Sequence, residues 1–145
     1  MLGVDLGEKR IGLACSDRSG VLASPLSTIE RSGDPEADRA AIVAAARAED
    51  AQVIVVGLHR SLSGREGPAA RGARGEAAAL AELAKLAELA EGAGGIRVEL
   101  HDERFTTRDA QRALSAAGHN TRQQRDHIDA AAAAVMLQAY LDGQR

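Results

Sequence analysis

Residues 2–16 have the sequence LGVDLGEKRIGLACS, in which two apolar runs flank a polar turn. Short apolar runs bounded by a turn predict two paired strands, here 2–6 and 11–16. The first run contains one carboxylate, Asp5, and burying an unpaired carboxylate costs free energy. Gly7, which follows two residues later, lets the backbone approach a ligand closely. We therefore expect Asp5 to be paired, to lie at the strand end as part of a turn, or to bind a cation.

The rest of the chain alternates between strand and helix patterns. Pro25 interrupts the third apolar run, so this strand is predicted at a sheet edge or with a bulge. Asp34 followed by Pro35 is typical of a helix start. The further predicted elements are a strand at 21–29, a helix from Asp34, a buried parallel strand at 52–57, a loop at 58–74, a helix at 76–91, a strand at 96–101, and helices at 106–117 and 121–141.

This order of elements predicts an α/β fold with a mixed sheet. A three-stranded antiparallel meander comes first, and two helical crossovers then add strands in parallel. We expect a single domain, 1–145, with a five-stranded mixed sheet and helices on both faces. Hydrophobic residues make up 45% of the chain and aromatic residues 1%. This composition excludes a disordered chain and predicts a core of Ala, Val, Leu and Ile.

A second acidic position stands at the end of a predicted strand. Asp102 and Glu103 follow the strand 96–101, at the edge where open α/β sheets bind ligands. Neighbours in a strand point to opposite faces, so only one of the two can face a site there. The alternative is a solvated acidic turn paired with Arg104.

A third acid, Asp129, stands in the stretch HIDAAAAAVMLQAYL, which is apolar nearly all round and predicts a buried helix. Ala132, Ala133, Met136 and Tyr140 share its face of the helix, so the carboxylate is aimed into a close interface where it needs a partner. An acid near a helix N-terminus, stabilised by the helix dipole, is the alternative.

Together, Asp5, Glu103 and Asp129 indicate a site of three carboxylates from two strands and a helix. Such oxygen ligands suit hard cations, Mg²⁺ or Mn²⁺. Two of these ions, about 4 Å apart, stabilise the attacking and leaving oxygens of a phosphoryl displacement. The sequence therefore predicts a phosphodiester hydrolase that acts on nucleic acid. It contains no Cys/His spacing of the zinc type and no clear Ser-His-Asp arrangement.

The lone cysteine and the hydropathy pattern bear on the compartment. Cys15 has no partner for an intramolecular disulfide and lies in an apolar run, so we expect a buried structural thiol in a reducing environment. The N-terminal segment meets a charge at Asp5, and no apolar run is long enough to span a membrane. We therefore expect a cytoplasmic protein that does not bind membranes.

Positive charge is concentrated in two segments, although the net charge of the chain is −3. Between Gly57 and Gly75 there is an excess of three positive charges, and between 104 and 125 an excess of four. Arginine supplies nearly all of this charge, and a guanidinium can hold phosphate oxygens with two hydrogen bonds. The alternative to a nucleic-acid interface is two solvated arginine-rich surfaces.

Four segments together resemble the YqgF/RuvX family. They are GVDLGEKRIGLACSD at 3–17, VVGLHRSLSGREGP at 55–68, DERFTT at 102–107 and RDHIDAAAAAVMLQAYL at 125–141. The resemblance covers essentially the whole chain in the family's order. It implies a ribonuclease H-like fold similar to that of Holliday-junction resolvases. It also implies nuclease activity with a divalent metal, and a role in maturing the 5′ end of pre-16S ribosomal RNA.

The resemblance also implies roles for individual residues. The catalytic acids of the family fall on Asp5, Glu103 and Asp129, with Asp102 as a weaker substitute for Glu103. His59 stands where the family usually has Pro, which bears on the conformation of the loop. Asp126 is an extra acid one turn before Asp129. The substrate-binding residues that the resemblance implies are Arg60, Arg65 and Arg71 in the loop, and Arg104, Thr106 and Thr107 beside the scissile phosphate.

Three alternatives stay open on the sequence. A resolvase of the same fold would cleave Holliday junctions in branched DNA, which needs two active sites and hence a homodimer. An ATP-binding domain of the actin or hexokinase type also begins with Asp-x-Gly and a hairpin, but it needs two such domains around the nucleotide. The third alternative is a non-catalytic assembly factor that binds nucleic acid, and the intact carboxylates argue against it.

Overall fold

The computed structural model describes residues 1–7, 9–59, 68–91, 95–103 and 121–144. At several of these positions the description is limited to the backbone, as at 102, 103 and 121–127. The described residues form five strands and three helices. In chain order these are β1 (Leu2–Leu6), β2 (Arg10–Ser16), β3 (Ala23–Glu30), α1 (Pro35–Ala48), β4 (Val53–His59), α2 (Pro68–Glu91), β5 (Arg97–Glu103) and α3 (Thr121–Gly143).

The strands form one mixed sheet in the order β3-β2-β1-β4-β5. β2 is antiparallel to both β1 and β3, whereas β4 pairs in parallel with β1 and β5. Pro25 lies in the edge strand β3. The register between β2 and β3 shifts next to it, since Leu13 pairs with Ser27 whereas Ala14 pairs with Pro25. The predicted meander, the parallel strands and the bulged edge position of Pro25 are confirmed.

Helices cover both faces of the sheet and divide the core into two clusters. Val4 and Val56 pack with residues of α1 and α2, while Val55 packs with residues of α3 on the opposite face. This division follows from the alternation of side chains along a strand. Arg39 joins α1 to α2, because its Nε and Nη2 lie 3.0 and 2.9 Å from the two carboxylate oxygens of Glu76. The predicted fold class is confirmed, and no helix among the described residues is long and apolar enough to cross a membrane.

The first helix begins as predicted. Asp34 caps α1, and its side chain accepts a hydrogen bond from the Glu36 amide at 3.1 Å. Pro35 occupies the first position of the helix, where its missing amide hydrogen has no cost.

The boundaries predicted around the loop at 58–74 are wrong. β4 continues through His59 and α2 begins at Pro68, so both ends of that predicted loop belong to regular elements. Gly72 and Gly75 obscured the first turns of α2, because glycine disfavours a helix interior. β5 likewise extends to Glu103, two residues beyond its predicted end. Residues 60–67 and the helix predicted at 106–117 lie outside the described residues.

Asp17 holds the turn between β2 and β3. Its carboxylate accepts hydrogen bonds from the Ser19 hydroxyl and from the amides of Val21 and Leu22, the last two at 2.8 and 3.1 Å. These bonds, the one from Ser19 first, lower the pKa of Asp17 to about 2. Because the turn uses both amides, β3 begins at Ala23 and not at the predicted position 21.

The helix α3 lies close against the sheet because glycines leave room for it. A Cβ atom on Gly12 would lie 1.9 Å from the backbone oxygen of Asp129, and a Cβ atom on Gly3 would lie 2.9 Å from the Cβ of Leu137. At these points no strand side chain separates the sheet from the helix. The alanine-rich face of α3 is buried as predicted, and Ala133 is 0% exposed.

Tyr140 ties the C-terminal half of α3 to β5. Its hydroxyl donates to Glu99, whose other carboxylate oxygen accepts from Arg97 Nε at 2.7 Å. The Tyr140 ring meets the His101 ring edge-on, with 5.8 Å between the ring centroids. The hydrogen bond from Tyr140, and after it the one from Arg97, lowers the pKa of Glu99. Burial, and after it the contact with Glu99, raises the pKa of Tyr140.

Replacing Gly12 with Ala should lower the free energy of unfolding by about 3 kcal/mol or more, because the new methyl group overlaps backbone that cannot move without displacing α3. Urea denaturation measures this change. Gly72→Ala is the matched control, since no described atom lies within 4 Å of its added Cβ and the site is inside a helix. The control should raise the free energy of unfolding by about 0.5 to 1 kcal/mol. Equal stability of Gly12→Ala and the parent would contradict the close approach of α3.

Replacing Tyr140 with Phe should flatten the acid side of the stability profile. A carboxylate whose pKa is lowered by folding stabilises the protein above its ordinary pKa, and this contribution is lost as pH falls through the folded pKa. In Tyr140→Phe, NMR titration should find the pKa of Glu99 closer to its ordinary value, and unfolding experiments should find a smaller loss of stability below about pH 4.3. An unchanged Glu99 pKa would exclude this hydrogen bond in solution.

Candidate active site

Asp5 stands near the end of β1, on the face of the sheet that α3 covers. It pairs with Gly12 of β2, and directly opposite residues of antiparallel strands share a face. A Cβ on Gly12 would meet the backbone of Asp129, so the side chain of Asp5 also lies on the α3 side. Asp5 is only 7% exposed. It is therefore a buried carboxylate next to the point where a second acid crosses the sheet.

Asp129 lies in the third turn of α3, where the helix crosses β2. Arg10 Nε donates to Asp129 Oδ2 at 2.7 Å, and the two side chains are 24% and 25% exposed. Arg10 and Gly12 are two residues apart on β2 and so share a face. β2 thus carries both the cation that binds the Asp129 carboxylate and the glycine that leaves space for the Asp129 backbone. The helix-dipole alternative for Asp129 is wrong, because α3 begins eight residues earlier, at Thr121.

Glu103 ends β5 at the same edge of the sheet as the end of β1, since both strands run parallel to β4. In β5, Glu99 and His101 contact α3, and Glu103 continues their two-residue spacing. Asp102 instead follows two residues after Leu100, which packs against the core cluster on the opposite face of the sheet. Strand register therefore favours Glu103, rather than Asp102, as the residue of this pair on the face that carries the other two acids.

The geometry thus brings Asp5 of β1 and Asp129 of α3 to one face of the sheet, and it brings the backbone of Glu103 in β5 to the same edge. Asp5 and Asp129 are the two whose side chains the structure describes. Among the described side chains, no group of three or more His, Cys, Asp or Glu residues forms a metal site. Carboxylates in this position can bind a hard cation and can accept protons from water or from a phosphate ester.

Most of the predicted substrate-binding residues lie outside the described part of the chain. Arg71 is in the first turn of α2, where only its backbone is described, and Asp126 is in α3 one turn before Asp129, again as backbone. The residues outside the description are Arg60, Arg65, Arg104, Thr106 and Thr107.

Sequence reasoning missed Arg10 as a partner of Asp129. Its only signal was its position in the turn directly after the strand of Asp5, two residues before a glycine. No local pattern identifies a partner 119 residues away. The role of Gly12 was missed as well, although a glycine inside an apolar strand can mark a close approach by another backbone.

Cys15 is partly buried, less than predicted. Burial, and after it the charge of Glu49, raises the pKa of the thiol. A thiol with a raised pKa is a poor nucleophile at neutral pH, which agrees with a structural role.

The fold defines the class of protein. It is shared by RuvC from Thermus thermophilus in complex with a Holliday-junction substrate, which is 15% identical, with a TM-score of 0.52 over 99% of this chain and 94% of that one. A second structure of Thermus thermophilus RuvC is 14% identical, with a TM-score of 0.51 over 97% and 95% of the two chains. At such low identity the likeness shows the fold alone, which is that of the RuvC-like resolvases of the ribonuclease H type, as predicted.

The sequence defines the family within this class. The profile of the family described as "RuvX: Holliday junction resolvase" matches residues 1–143. A relative from Kineococcus radiotolerans is 45% identical over 144 residues, which cover 99% of this chain and 72% of the relative. A relative from Anaeromyxobacter dehalogenans is 45% identical over 141 residues, which cover 97% and 95%. Both bear the name "Putative pre-16S rRNA nuclease". The chain belongs to the RuvX family and is a nuclease by that membership.

Replacing Arg10 with Ala should lower the free energy of unfolding by about 1 to 3 kcal/mol, because a charge-assisted hydrogen bond in a partly buried position is lost. A double-mutant cycle with Asp129→Asn isolates the pairwise contribution, measured by urea denaturation without divalent metal. Arg18→Ala, which removes an exposed arginine from the β2–β3 turn, is the control and should change stability little. A coupling energy near zero between positions 10 and 129 would refute the ion pair.

Proposed function

We propose that the protein is a divalent-metal-dependent nuclease that matures the 5′ end of pre-16S ribosomal RNA by hydrolysing phosphodiester bonds. The observation that carries the proposal is the buried carboxylate of Asp5 on the sheet face that Asp129 approaches, with Glu103 at the same edge by strand register. The choice of substrate rests on the names of relatives that are 45% identical. A protein with this role acts in the cytoplasm.

The proposed ligands fit a hard divalent cation. Asp5, Glu103 and Asp129 offer only oxygen atoms, which Mg²⁺ and Mn²⁺ prefer. Asp5 is nearly inaccessible to water, and a cation held beside it would offset part of the cost of burying its charge. When bound, such ions supply charge stabilisation to the attacking and leaving oxygens of a phosphoryl displacement.

The residues of the chain would divide the remaining work between positioning and substrate binding. The hairpin fixes Asp5, and Arg10 fixes Asp129 through its Oδ2. Such fixed placement matters because loss of geometry by a fraction of an ångström already slows catalysis. The substrate phosphates would be bound by the residues that the family resemblance implies. These residues are Arg60, Arg65, Arg71, Arg104, Thr106 and Thr107.

Cleavage of Holliday junctions is the second candidate function. The family is described as a Holliday junction resolvase. Resolution requires two cuts and therefore two active sites, so this function would require a homodimer. The acids proposed to bind the metal would be the same for both substrates, and the oligomeric state and the substrate would differ.

The proposed site is tested by incubating the purified protein with pre-16S RNA fragments, linear DNA and four-way DNA junctions, each with Mg²⁺, with Mn²⁺ and with chelator. The parent should cleave the RNA fragments only when a divalent metal is present. Asp5→Asn, Glu103→Gln and Asp129→Asn should each lower the cleavage rate by roughly 100-fold or more, because each removes a charged ligand at the reacting phosphate.

Asp102→Asn is the matched control, since it removes the carboxylate adjacent to Glu103 in β5, and it should cleave as the parent does. Cleavage by Asp5→Asn at the parental rate would exclude the proposed metal site. Cleavage of junctions alone, by a dimer, would establish the second candidate function. Binding of RNA without cleavage under all metal conditions would favour a non-catalytic assembly factor.

A further inference from the structure

A cleft of about 440 Å³ lies at the β3 side of the sheet edge that carries the proposed site, and Lys9, Arg31, Gly33, Pro35 and Asp38 line it. Lys9 belongs to the turn between β1 and β2, and Arg31 directly follows β3. The Arg31 amide donates to the Lys9 carbonyl at 3.0 Å, so the backbone holds the two basic residues side by side. Neither residue has a role in the site described above.

Arg31 has a polar atom that the described residues leave without a partner. Its Nε is buried, and none of the described residues accepts a hydrogen bond from it. Buried polar groups are normally paired, so an orphaned guanidinium nitrogen at a cleft points to an acceptor supplied from outside the chain. A rotation of the Arg31 side chain that turns this nitrogen to the cleft would let an oxygen of an anionic ligand satisfy it.

The lining of the cleft carries two cations and one anion. The Oδ1 of Asp38 accepts from the Ser32 amide at 3.1 Å and from the Ser32 hydroxyl at 2.8 Å, so this carboxylate holds the segment that leads into α1. Lys9, in contrast, is exposed. The N-terminus of α1 is already capped by Asp34, so Lys9 and Arg31 are the groups that can hold a ligand.

The position of the cleft connects it to the carboxylates. β1 and β3 both run antiparallel to β2, so the strand ends near Asp5 and Arg31 lie at the same edge of the sheet. Lys9 directly precedes Arg10, which binds Asp129. The acids lie on the face that α3 covers and the cleft lies at the start of α1, which packs on the opposite face, so a nucleic-acid strand that contacts both crosses this edge of the sheet.

We propose that Lys9 and Arg31 form a subsite for a backbone phosphate of the substrate, separate from the phosphate that is cleaved. Arg31 Nε donates to one phosphate oxygen, and the Lys9 ammonium group approaches the same phosphate from the solvent side. The inference rests on the proposed nuclease function. Because phosphate contacts carry no sequence information, the subsite takes the phosphodiester backbone of RNA and of DNA alike.

Salt dependence of binding tests the subsite. Binding of a labelled pre-16S RNA fragment and of a four-way DNA junction is measured in chelator, so that nothing is cleaved, between about 50 and 200 mM salt. The double variant Lys9→Gln/Arg31→Gln, which leaves this phosphate without a cation, should reduce the slope of log K against log salt by about 0.7 to 0.9, and Lys9→Gln and Arg31→Gln should each reduce it by part of that amount. Lys85→Gln on α2 and Arg18→Gln in the β2–β3 turn remove the same charges elsewhere and should leave the slope unchanged.

Parental slopes in Lys9→Gln and Arg31→Gln would overturn the subsite. An equal reduction of the slope in the two controls would overturn it too, because the net charge and not the cleft would then be responsible. A reduction with only one of the two nucleic acids would also overturn it, because the proposed subsite binds the backbone of both. Thermal unfolding checks that the variants fold, and if Arg31→Gln does not, Lys9→Gln decides, since its side chain is exposed. Failure of the proposed function is seen separately, as a parent that binds the RNA but does not cut it with Mg²⁺ or Mn²⁺.

Discussion

The contact between α3 and the sheet at Gly12 is the constraint on which the rest of the structure depends. With a Cβ only 1.9 Å from the Asp129 oxygen, no residue other than glycine fits there. Gly3 and the buried alanines of α3 extend this close approach along the helix. The approach brings Asp129 beside the strand partner of Asp5. A larger residue would hold the helix away from the sheet, and the two acids would separate.

A partly buried carboxylate is costly unless a cation or a hydrogen-bond donor compensates its charge. Arg10 provides that compensation at 2.7 Å from Asp129, from the same strand and the same face as Gly12. The close approach and the ion pair are therefore linked, because β2 carries both Gly12, which leaves space for α3, and Arg10, which stabilises Asp129 of that helix. Lys9 and Arg31 place further positive charge at the same edge of the sheet.

Much of the fold could be predicted from the sequence because its signals are local. Apolar runs and turns defined the strands, Pro25 marked the edge, and Asp34 with Pro35 marked the start of α1. The start of α2 was missed because Gly72 and Gly75 weaken a helical pattern that tertiary packing overrides. The end of β4 at His59 was missed because its pairing with Glu103 is made across the sheet.

Candidate site residues could be predicted where a side chain conflicts with its sequence surroundings. They could not be predicted where the evidence is a contact between residues that are distant in the sequence. Asp5 is conspicuous because it is a charge in an apolar strand. Asp102 and Glu103 are adjacent and chemically similar, so only strand register distinguishes them. The partnership of Arg10 and Asp129 joins residues 119 positions apart, and a single sequence contains no pattern that links them.

The separation of Arg10 and Asp129 along the chain has a consequence for how the protein folds. The hairpin with Asp5 can form from neighbouring residues, but Asp129 reaches it only when a loop of more than 100 residues closes, which is entropically costly and slow. A partly folded chain therefore lacks the contact between the hairpin and Asp129. If Asp5 and Asp129 form the proposed metal site, nuclease activity is therefore withheld until folding is complete.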